Sequence, residues 1–379
     1  MKVIHEPTYK KYVTGSMTQF DDRNTGFSRG MVETESGEGK YDLMHRRSVE
    51  NIQKKVRGRS IEDHALWVAG RTVDYTMRRN HMARDKDPVF NREYRMEGRS
   101  PADLSRMIKR AARWLGADLV GIAKVNPLWV YSHWGHHNVH YTGAANPGDR
   151  IEIPEMYQHV IVLIHEMGFE WVKRSPAVEP ETDLVYSKMG WTAGSLATYI
   201  REIGYRAIPA GNELGLSIPM AIDAGLGELS RMGLLMTREF GPRCRISKVF
   251  TNLPLEADTP IDIGVQAFCE KCEKCAEHCP SQALMTGERT DRPWDRSNNP
   301  GMSKWPIRAM RCLDWWVKNG THCSVCIRVC PWNKVVKGFH KAVRFLAERD
   351  IMTKALVALD GWMGYGKQEI KDLELLIHD

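Results

Sequence analysis

The sequence predicts a mixed α/β core with a small cysteine-rich module inserted into it or appended to it, and three observations carry that reading. Eight of the nine cysteines fall in one stretch, as Cys269-x2-Cys272-x2-Cys275-x3-Cys279-Pro and Cys312-x10-Cys323-x2-Cys326-x3-Cys330-Pro. Upstream, the apolar runs at 119–125 and 160–164 read as buried strands. Around those runs, apolar residues recur at helical spacing.

Taken in order, residues 1–100 are polar, with scattered Gly and Arg, and read as an irregular N-terminal unit wrapped on something larger. A clear helix follows: Ser100 can cap it, Pro101 suits its first turn, and Leu104, Met107, Ile108, Ala111 and Leu115 share one face. The core then spans 101–265, with an insertion at about 126–155 between the two strands. Residues 187–203 take helical spacing through Met189, Ala193, Leu196, Ala197 and Ile200, ended by Gly204, which puts Tyr186 at a helix N-terminus. Another helix is expected from Pro219 toward Met232, with Gly225 and Gly227 permitting close backbone approach. The cysteine module occupies 266–334, and 335–379 read as two short amphipathic helices.

Thiolates at the module's spacing suit two [4Fe–4S] clusters. A C-x2-C-x2-C loop supplies three ligands before the chain must leave, and in two-cluster ferredoxins the fourth comes from the other motif. That rule pairs Cys269, Cys272 and Cys275 with Cys330, and Cys312, Cys323 and Cys326 with Cys279. Pro280 and Pro331 follow the fourth cysteine of each motif. Zinc sites and a disulfide scaffold are the competing readings. Zinc ribbons seldom use three cysteines at x2 spacing twice, and disulfide scaffolds are mostly short secreted chains. Cys244, between Arg243 and Arg245, stands outside both motifs and reads as a buried inert thiol.

At 379 residues and 42% hydrophobic composition the chain can bury a core far larger than a ferredoxin's. No apolar run approaches membrane-spanning length, and the N-terminal residues as written show no charged region followed by an apolar signal segment. The chain as written is therefore expected to be soluble and cytoplasmic. A net charge of +7 permits nucleic-acid contact, but the basic residues are dispersed, so no nucleic-acid partner is expected. His133, His136, His137 and His140 invite a metal reading, against which a polar loop is preferred. Gly225-x-Gly227-x-x-Ser230 lacks the third glycine of a dinucleotide fingerprint and follows a helix rather than a strand.

Four further stretches carry a family resemblance: 117–126 with Trp129-Val-Tyr-Ser132; Tyr186-Ser-Lys-Met189 leading to Ile200-Arg-Glu-Ile-Gly-Tyr205; Ala221-Ile-Asp-Ala-Gly-Leu-Gly-Glu228 with Ser230-Arg-Met-Gly233; and Glu239-Phe-Gly-Pro242 through Lys248-Val-Phe-Thr-Asn252. With the cysteine spacing, they resemble the catalytic subunit of corrinoid-dependent reductive dehalogenases, nearest to the tetrachloroethene type. The likeness covers about 100–335, and the first 100 residues match only loosely. It implies a nitroreductase-like α/β core holding a base-off cobalamin, fed one electron at a time by the two clusters. No Asp-x-His-x-x-Gly corrinoid motif occurs. Matching corrinoid-wrapping stretches are 211–219 and 225–231, with Gly211, Gly215, Ser217, Gly225, Gly227, Ser230 and Arg231 as contacts.

Tyr186, Asn212 and Arg245 match the family's substrate-site trio. Replacing a carbon-bound halogen by hydrogen takes two electrons and one proton, and the protein must supply the proton. A tyrosine, with an ordinary pKa of about 10, serves as acid when its phenolate is stabilised, which a cationic Arg245 can do while Asn212 orients the phenol. Trp316 matches a pocket-lining tryptophan. His322 stands where close relatives have tyrosine, which leaves pocket shape and substrate open. The resemblance implies a halogenated organic substrate, a low-potential electron donor and a homodimer. Respiratory members add a membrane anchor subunit and a twin-arginine leader, whose removal would place the enzyme on the outer face of the cytoplasmic membrane. Two alternatives remain. Epoxyqueuosine reductase, which modifies tRNA, shares the corrinoid core and cluster module, but its catalytic aspartate motif and Gly-Trp-Ile-Gly-Lys stretch have no good match here. An electron-transfer subunit without catalysis of its own is the second.

Overall fold

The two apolar runs pair as neighbours in a four-stranded sheet. The computed structural model describes residues 1–33, 39–91, 93–371 and 376. The elements that position the site are, in chain order, helices α1 (Lys40–Gln53), α2 (Ile61–Gly70), α3 (Thr72–Asn80) and α4 (Pro101–Trp114), strands β1 (Leu119–Lys124) and β2 (His159–Glu166), helix α5 (Glu179–Glu202), strand β3 (Ala207–Ala210), helix α6 (Ser217–Asp223) and strand β4 (Cys244–Thr251). The sheet order is β1-β2-β4-β3, and every neighbouring pair is antiparallel.

Because β2 lies inside the sheet with both faces covered, its alternating side chains feed two cores. Ile161 and Leu163 pack with Leu104, Ile108 and Ala112 of α4 and with Ala193, Leu196, Ala197 and Ile200 of α5. Val160, Val162 and Ile164 face the other way, onto Trp129, Met220, Ala221 and Phe250. Helix α4 starts as its sequence directs, with the Ser100 hydroxyl accepting from the Asp103 amide at 3.2 Å and Pro101 in the first turn. Strands β3 and β4 are not legible in the apolar pattern. β3 is a four-residue edge strand that contains Pro209, tolerated there because an edge needs fewer amide donors. β4 carries Ser247 and Lys248, both fully buried, which break an apolar reading.

Three expectations change. The N-terminal hundred residues are not irregular throughout: α1, α2 and α3 lie in them. Their pattern is masked because α2 buries Asp63 beside Trp67, and α3 buries Asp74 and Arg78. Helix α3 lies close against α5 through two glycines one turn apart. A Cβ on Gly194 would come within 2.2 Å of the Met77 methyl carbon, and one on Gly190 within 3.0 Å of the Met77 Cβ. The second change is the start of α5, eight residues before 187. Pro180 sits in its first turn with Glu179 and Glu181 beside it, a favoured helix opening. Tyr186 is therefore two turns inside α5, and no helix-terminus field acts on its phenol. Helix α6 is also shorter than expected, ending at Asp223 ahead of a two-residue strand, Glu228–Leu229.

Beyond β4 the cysteine module contains four short helices, Val265–Lys271, Lys274–Glu277, α7 (Ala309–Asn319) and Val325–Arg328. Helices Phe339–Ala347 and Thr353–Trp362 follow, and Asp360 holds Lys274 and Lys334 against them in a buried ion triad. Among the described residues no helix is long and apolar enough to cross a membrane.

Ile161, fully buried at the centre of the sheet, tests this packing. The Ile161→Ala variant is expected to lose about 2–5 kcal/mol of stability in chemical denaturation.

Candidate active site beside the cysteine module

Alternation along β4 sends Arg245 and Lys248 to opposite faces of the sheet. On the α5 side, the Arg245 guanidinium donates to the Tyr186 hydroxyl at 3.1 Å and lies 4.4 Å from the centre of its ring. Asn212, in the turn between β3 and α6, donates to the same oxygen at 3.3 Å. The structure thus brings together all three residues expected to act on substrate.

The turn that presents Asn212 is fastened at both ends. Lys248, on the opposite face of β4, donates to the Gly211 carbonyl at 2.6 Å and to the Ser217 hydroxyl at 2.9 Å. Glu213 accepts from the Gly211 amide at 2.6 Å. It also pairs with Arg78 at 3.3 Å, which in turn meets Asp74 at 3.2 Å. Burial pushes the Lys248 ammonium down to about 8, while Glu213 and Asp22 favour its charged form. Arg78 also lies over the Tyr186 ring at 5.6 Å and the Tyr141 ring at 5.2 Å. One turn before Tyr186, Asp183 is buried, held by the Trp67 indole and by Arg71 at 3.4 Å, and burial pushes its carboxyl up to about 6. Arg71, Asp74, Arg78, Asp183, Glu213 and Lys248 all escape sequence reading. Charged residues on helical faces look like solvated ones until the fold buries them.

Aromatic rings continue the site outward. The Trp316 ring lies 5.0 Å edge-on from His322 and 5.8 Å from Phe27. His322 is held well below the usual imidazole range by burial and by Arg245 and Arg71, so it is neutral at pH 7. A cavity of about 810 Å3 opens nearby, lined by Tyr41, His45, Tyr75, Arg79, His140 and Tyr141 among others. Several buried polar atoms around Tyr186 have no partner, namely Arg78 Nη1, Arg245 Nε, His322 Nδ1 and the Tyr41 hydroxyl. Burial and the neighbouring Tyr141 and Tyr186 push the Tyr41 phenol well above its ordinary value. Native interiors rarely leave such groups unpaired, so this set marks where a polar ligand belongs.

The residues expected to contact a corrinoid divide. Gly211 and Ser217 flank Asn212 under Lys248. Gly215 lies against the Trp129 carbonyl, 2.4 Å from where a Cβ would stand. Gly225 and Gly227 are required by packing inside the chain, against the carbonyls of Thr259 and Met236 at 2.4 and 2.2 Å from a Cβ. The Ser230 hydroxyl donates to the Leu234 carbonyl at 2.7 Å. Arg231 is committed elsewhere: its guanidinium donates to the carbonyls of Cys269, Cys272, Met285 and Gly287 and stacks 4.3 Å from the Trp305 ring. It braces the first cysteine loop.

The cysteines gather in two sets of electrostatic neighbours. Cys275 is close to Cys269, Cys272 and Cys330, and Cys326 is close to Cys279, Cys312 and Cys323, with Cys275 and Cys326 adjacent between the sets. None forms a disulfide. Burial pushes the thiols of Cys269 and Cys312 up to about 12. Thiols crowded together in an apolar interior are a donor set whose ionised form needs metal to carry its charge, and they fit iron–sulfur clusters. Cys244 is likewise pushed up to about 12 by burial, as an inert thiol is. Of the four clustered histidines, His137 is buried and stacked 5.2 Å from Phe27, and among the described residues no group of three His, Cys, Asp or Glu is arranged to hold a single metal ion.

Residues 268–333 match the 4Fe-4S double cluster binding domain family. Over 315 residues, 74% of the chain, it is 36% identical to the tetrachloroethene reductive dehalogenase of Dehalobacter restrictus. This chain is a relative of the reductive dehalogenases. The dehalogenase of Sulfurospirillum multivorans is 37% identical over 288 residues, 70% of the chain. The chain spans little more than half of these two dehalogenases, 57% and 58% of their lengths. Its fold matches that of the catabolic reductive dehalogenase NpRdhA with a TM-score of 0.77, at 24% identity, over 98% of this chain and 50% of that one.

The Lys248 tether sets up a test. Lys248→Met leaves the Gly211 carbonyl buried and short of a donor, and is expected to cost about 1–3 kcal/mol in chemical denaturation. Amide exchange should speed up at 211–217.

Proposed function

We propose that the chain catalyses reductive dehalogenation, in which a carbon–halogen bond is replaced by carbon–hydrogen with uptake of two electrons and one proton and release of halide. One observation carries the reading. The Tyr186 hydroxyl, a proton source, is gripped by Arg245 and Asn212. Beside it, Trp316 and His322 belong to the segment that bears Cys312 and Cys323. Proton and electron supplies thus meet in one place.

Two [4Fe–4S] clusters serve as the electron supply, and we assign Cys269, Cys272, Cys275 and Cys330 to one and Cys279, Cys312, Cys323 and Cys326 to the other. A low-potential one-electron donor must reduce them. The unpaired donors around Tyr186 fit a carboxamide-rimmed cofactor, and a related fold belongs to a reductive dehalogenase whose structure suggests a mechanism for B12-dependent dehalogenation. A bound cobalamin would supply the low-valent metal centre that delivers electrons to the halogenated carbon. Arg78, Arg245 and Asn212 would face it and the substrate, with Gly211 and Ser217 at its edge.

Tyr186 gives its proton to the carbon that loses halide. The oxygen left behind keeps two donors, one of them a guanidinium cation. Asn212 fixes the direction of the O–H bond, and Lys248 and Glu213 fix Asn212. His322, neutral and apolar-walled, adds no charge to compete with Arg245. The aromatic walls exclude water, which would otherwise protonate at random.

After anaerobic loading with iron, sulfide and cobalamin, and with a strong one-electron reductant, the parent protein is expected to release halide from a panel of chlorinated and brominated alkenes and phenols. Tyr186→Phe should load equally and lose about a hundredfold or more in turnover. Halide release at the parent rate by the variant would remove Tyr186 from the mechanism, and none from the loaded parent would remove the reading. For the cluster assignment, Cys330→Ala is expected to halve bound iron and sulfide and leave one cluster signal.

A further inference from the structure

Helix α7 carries two tryptophans side by side, and both end in a buried indole N–H with no partner in hydrogen-bonding geometry. The sequence reading takes Trp316 as a pocket wall and leaves Trp315 aside. Their surroundings give them a second face. Trp315 and Trp316 pack on Cys323, Val325 and Val329. Trp316 stands one helical turn after Cys312 on α7, and Trp315 packs against Cys323.

The helix explains why two neighbours reach two different cysteines. Side chains sweep back toward the N-terminus, so Trp316 lies over the residue four before it, Cys312. Trp315 is rotated about 100° around the axis and meets the chain returning after the left-handed Gly320, where Cys323 stands. Both cysteines belong to the set beside Tyr186. An indole N–H has no acceptor capacity and one hydrogen to give, so burying two without oxygen or nitrogen acceptors costs free energy unless another acceptor is present. Thiolate and sulfide sulfurs of a cluster are such acceptors.

We propose that Trp315 and Trp316 are positioning residues for electron transfer, donating N–H···S hydrogen bonds to Cys323 and Cys312 and raising the reduction potential of the cluster that these cysteines ligate. Reduction adds one electron to that cluster, taken from the neighbouring cluster or an external one-electron donor; no bond breaks and no proton moves. The added negative charge spreads onto the sulfurs, so donors aimed at them stabilise the reduced state more than the oxidised one. The inference rests on the cluster part of the proposed function and is independent of whether halide is released.

The test is an anaerobic redox titration of the two-cluster protein followed by electron paramagnetic resonance, on the parent, Trp315→Phe, Trp316→Phe and the double variant. Phenylalanine keeps an aromatic ring and deletes only the donor. One of the two midpoint potentials is expected to move negative in each single variant and further in the double, the other staying fixed. Unchanged midpoints with full iron content, or an equal shift of both clusters, overturn the proposal. Should a variant lose its iron, the parent labelled with 15N at the indole decides: pulsed resonance of the reduced cluster shows coupling to indole nitrogen if the proposal holds, and none if it fails. No halogenated compound enters either measurement, so a failed dehalogenation assay leaves the answer intact.

Discussion

Charge buried beside a sheet is the constraint from which the site follows. Arg71, Arg78 and Lys248 lie in the interior with Asp74, Asp183 and Glu213. A buried charge is tolerable only when paired and hydrogen-bonded, so each of these groups fixes the next. Asp74 holds Arg78, Arg78 holds Glu213, Glu213 and Lys248 hold the turn at Gly211, and that turn aims Asn212 at Tyr186. Replacing any one member by an apolar residue strands its partner in a dry environment. The network gives the phenol a fixed orientation that two long, flexible side chains in water would not provide.

Legibility in the sequence follows the same division. The cysteine module could be read because ligand spacing is a local property of the chain, and β1, β2 and α4 because their apolar pattern and cap are local too. Tyr186, Asn212 and Arg245 could be named only by resemblance, since nothing in their own neighbourhoods marks them. β4 hid behind Ser247 and Lys248, and α2 and α3 behind Asp63, Asp74 and Arg78. These are polar residues buried by partners that lie far along the chain, and partnership at a distance leaves no periodic trace. The start of α5 was missed for a different reason. Pro180 reads as a breaker unless it is placed in the first turn, where its missing N–H costs nothing.

Within the segment 225–231, expected at a corrinoid, Glu228 and Arg231 join the core to the cysteine module. Glu228 accepts from the amides of Ile263 and Val265 at 2.7 and 3.1 Å, at the threshold of the module, and burial pushes its carboxyl up to about 7. Arg231 then caps carbonyls of the first cysteine loop. The module is therefore held by hydrogen bonds to main-chain atoms, which keep their geometry whatever side chains surround them.

The lining of the 810 Å3 cavity is drawn wholly from residues before 142, among them Tyr41, His45, Tyr75, Arg79 and Tyr141, whereas Tyr186, Asn212 and Arg245 all come later in the chain. The two are nevertheless joined through α3, whose Tyr75 and Arg79 line the cavity while its Asp74 and Arg78 hold the turn at Gly211. A change of ring on that helix is therefore felt at the phenol.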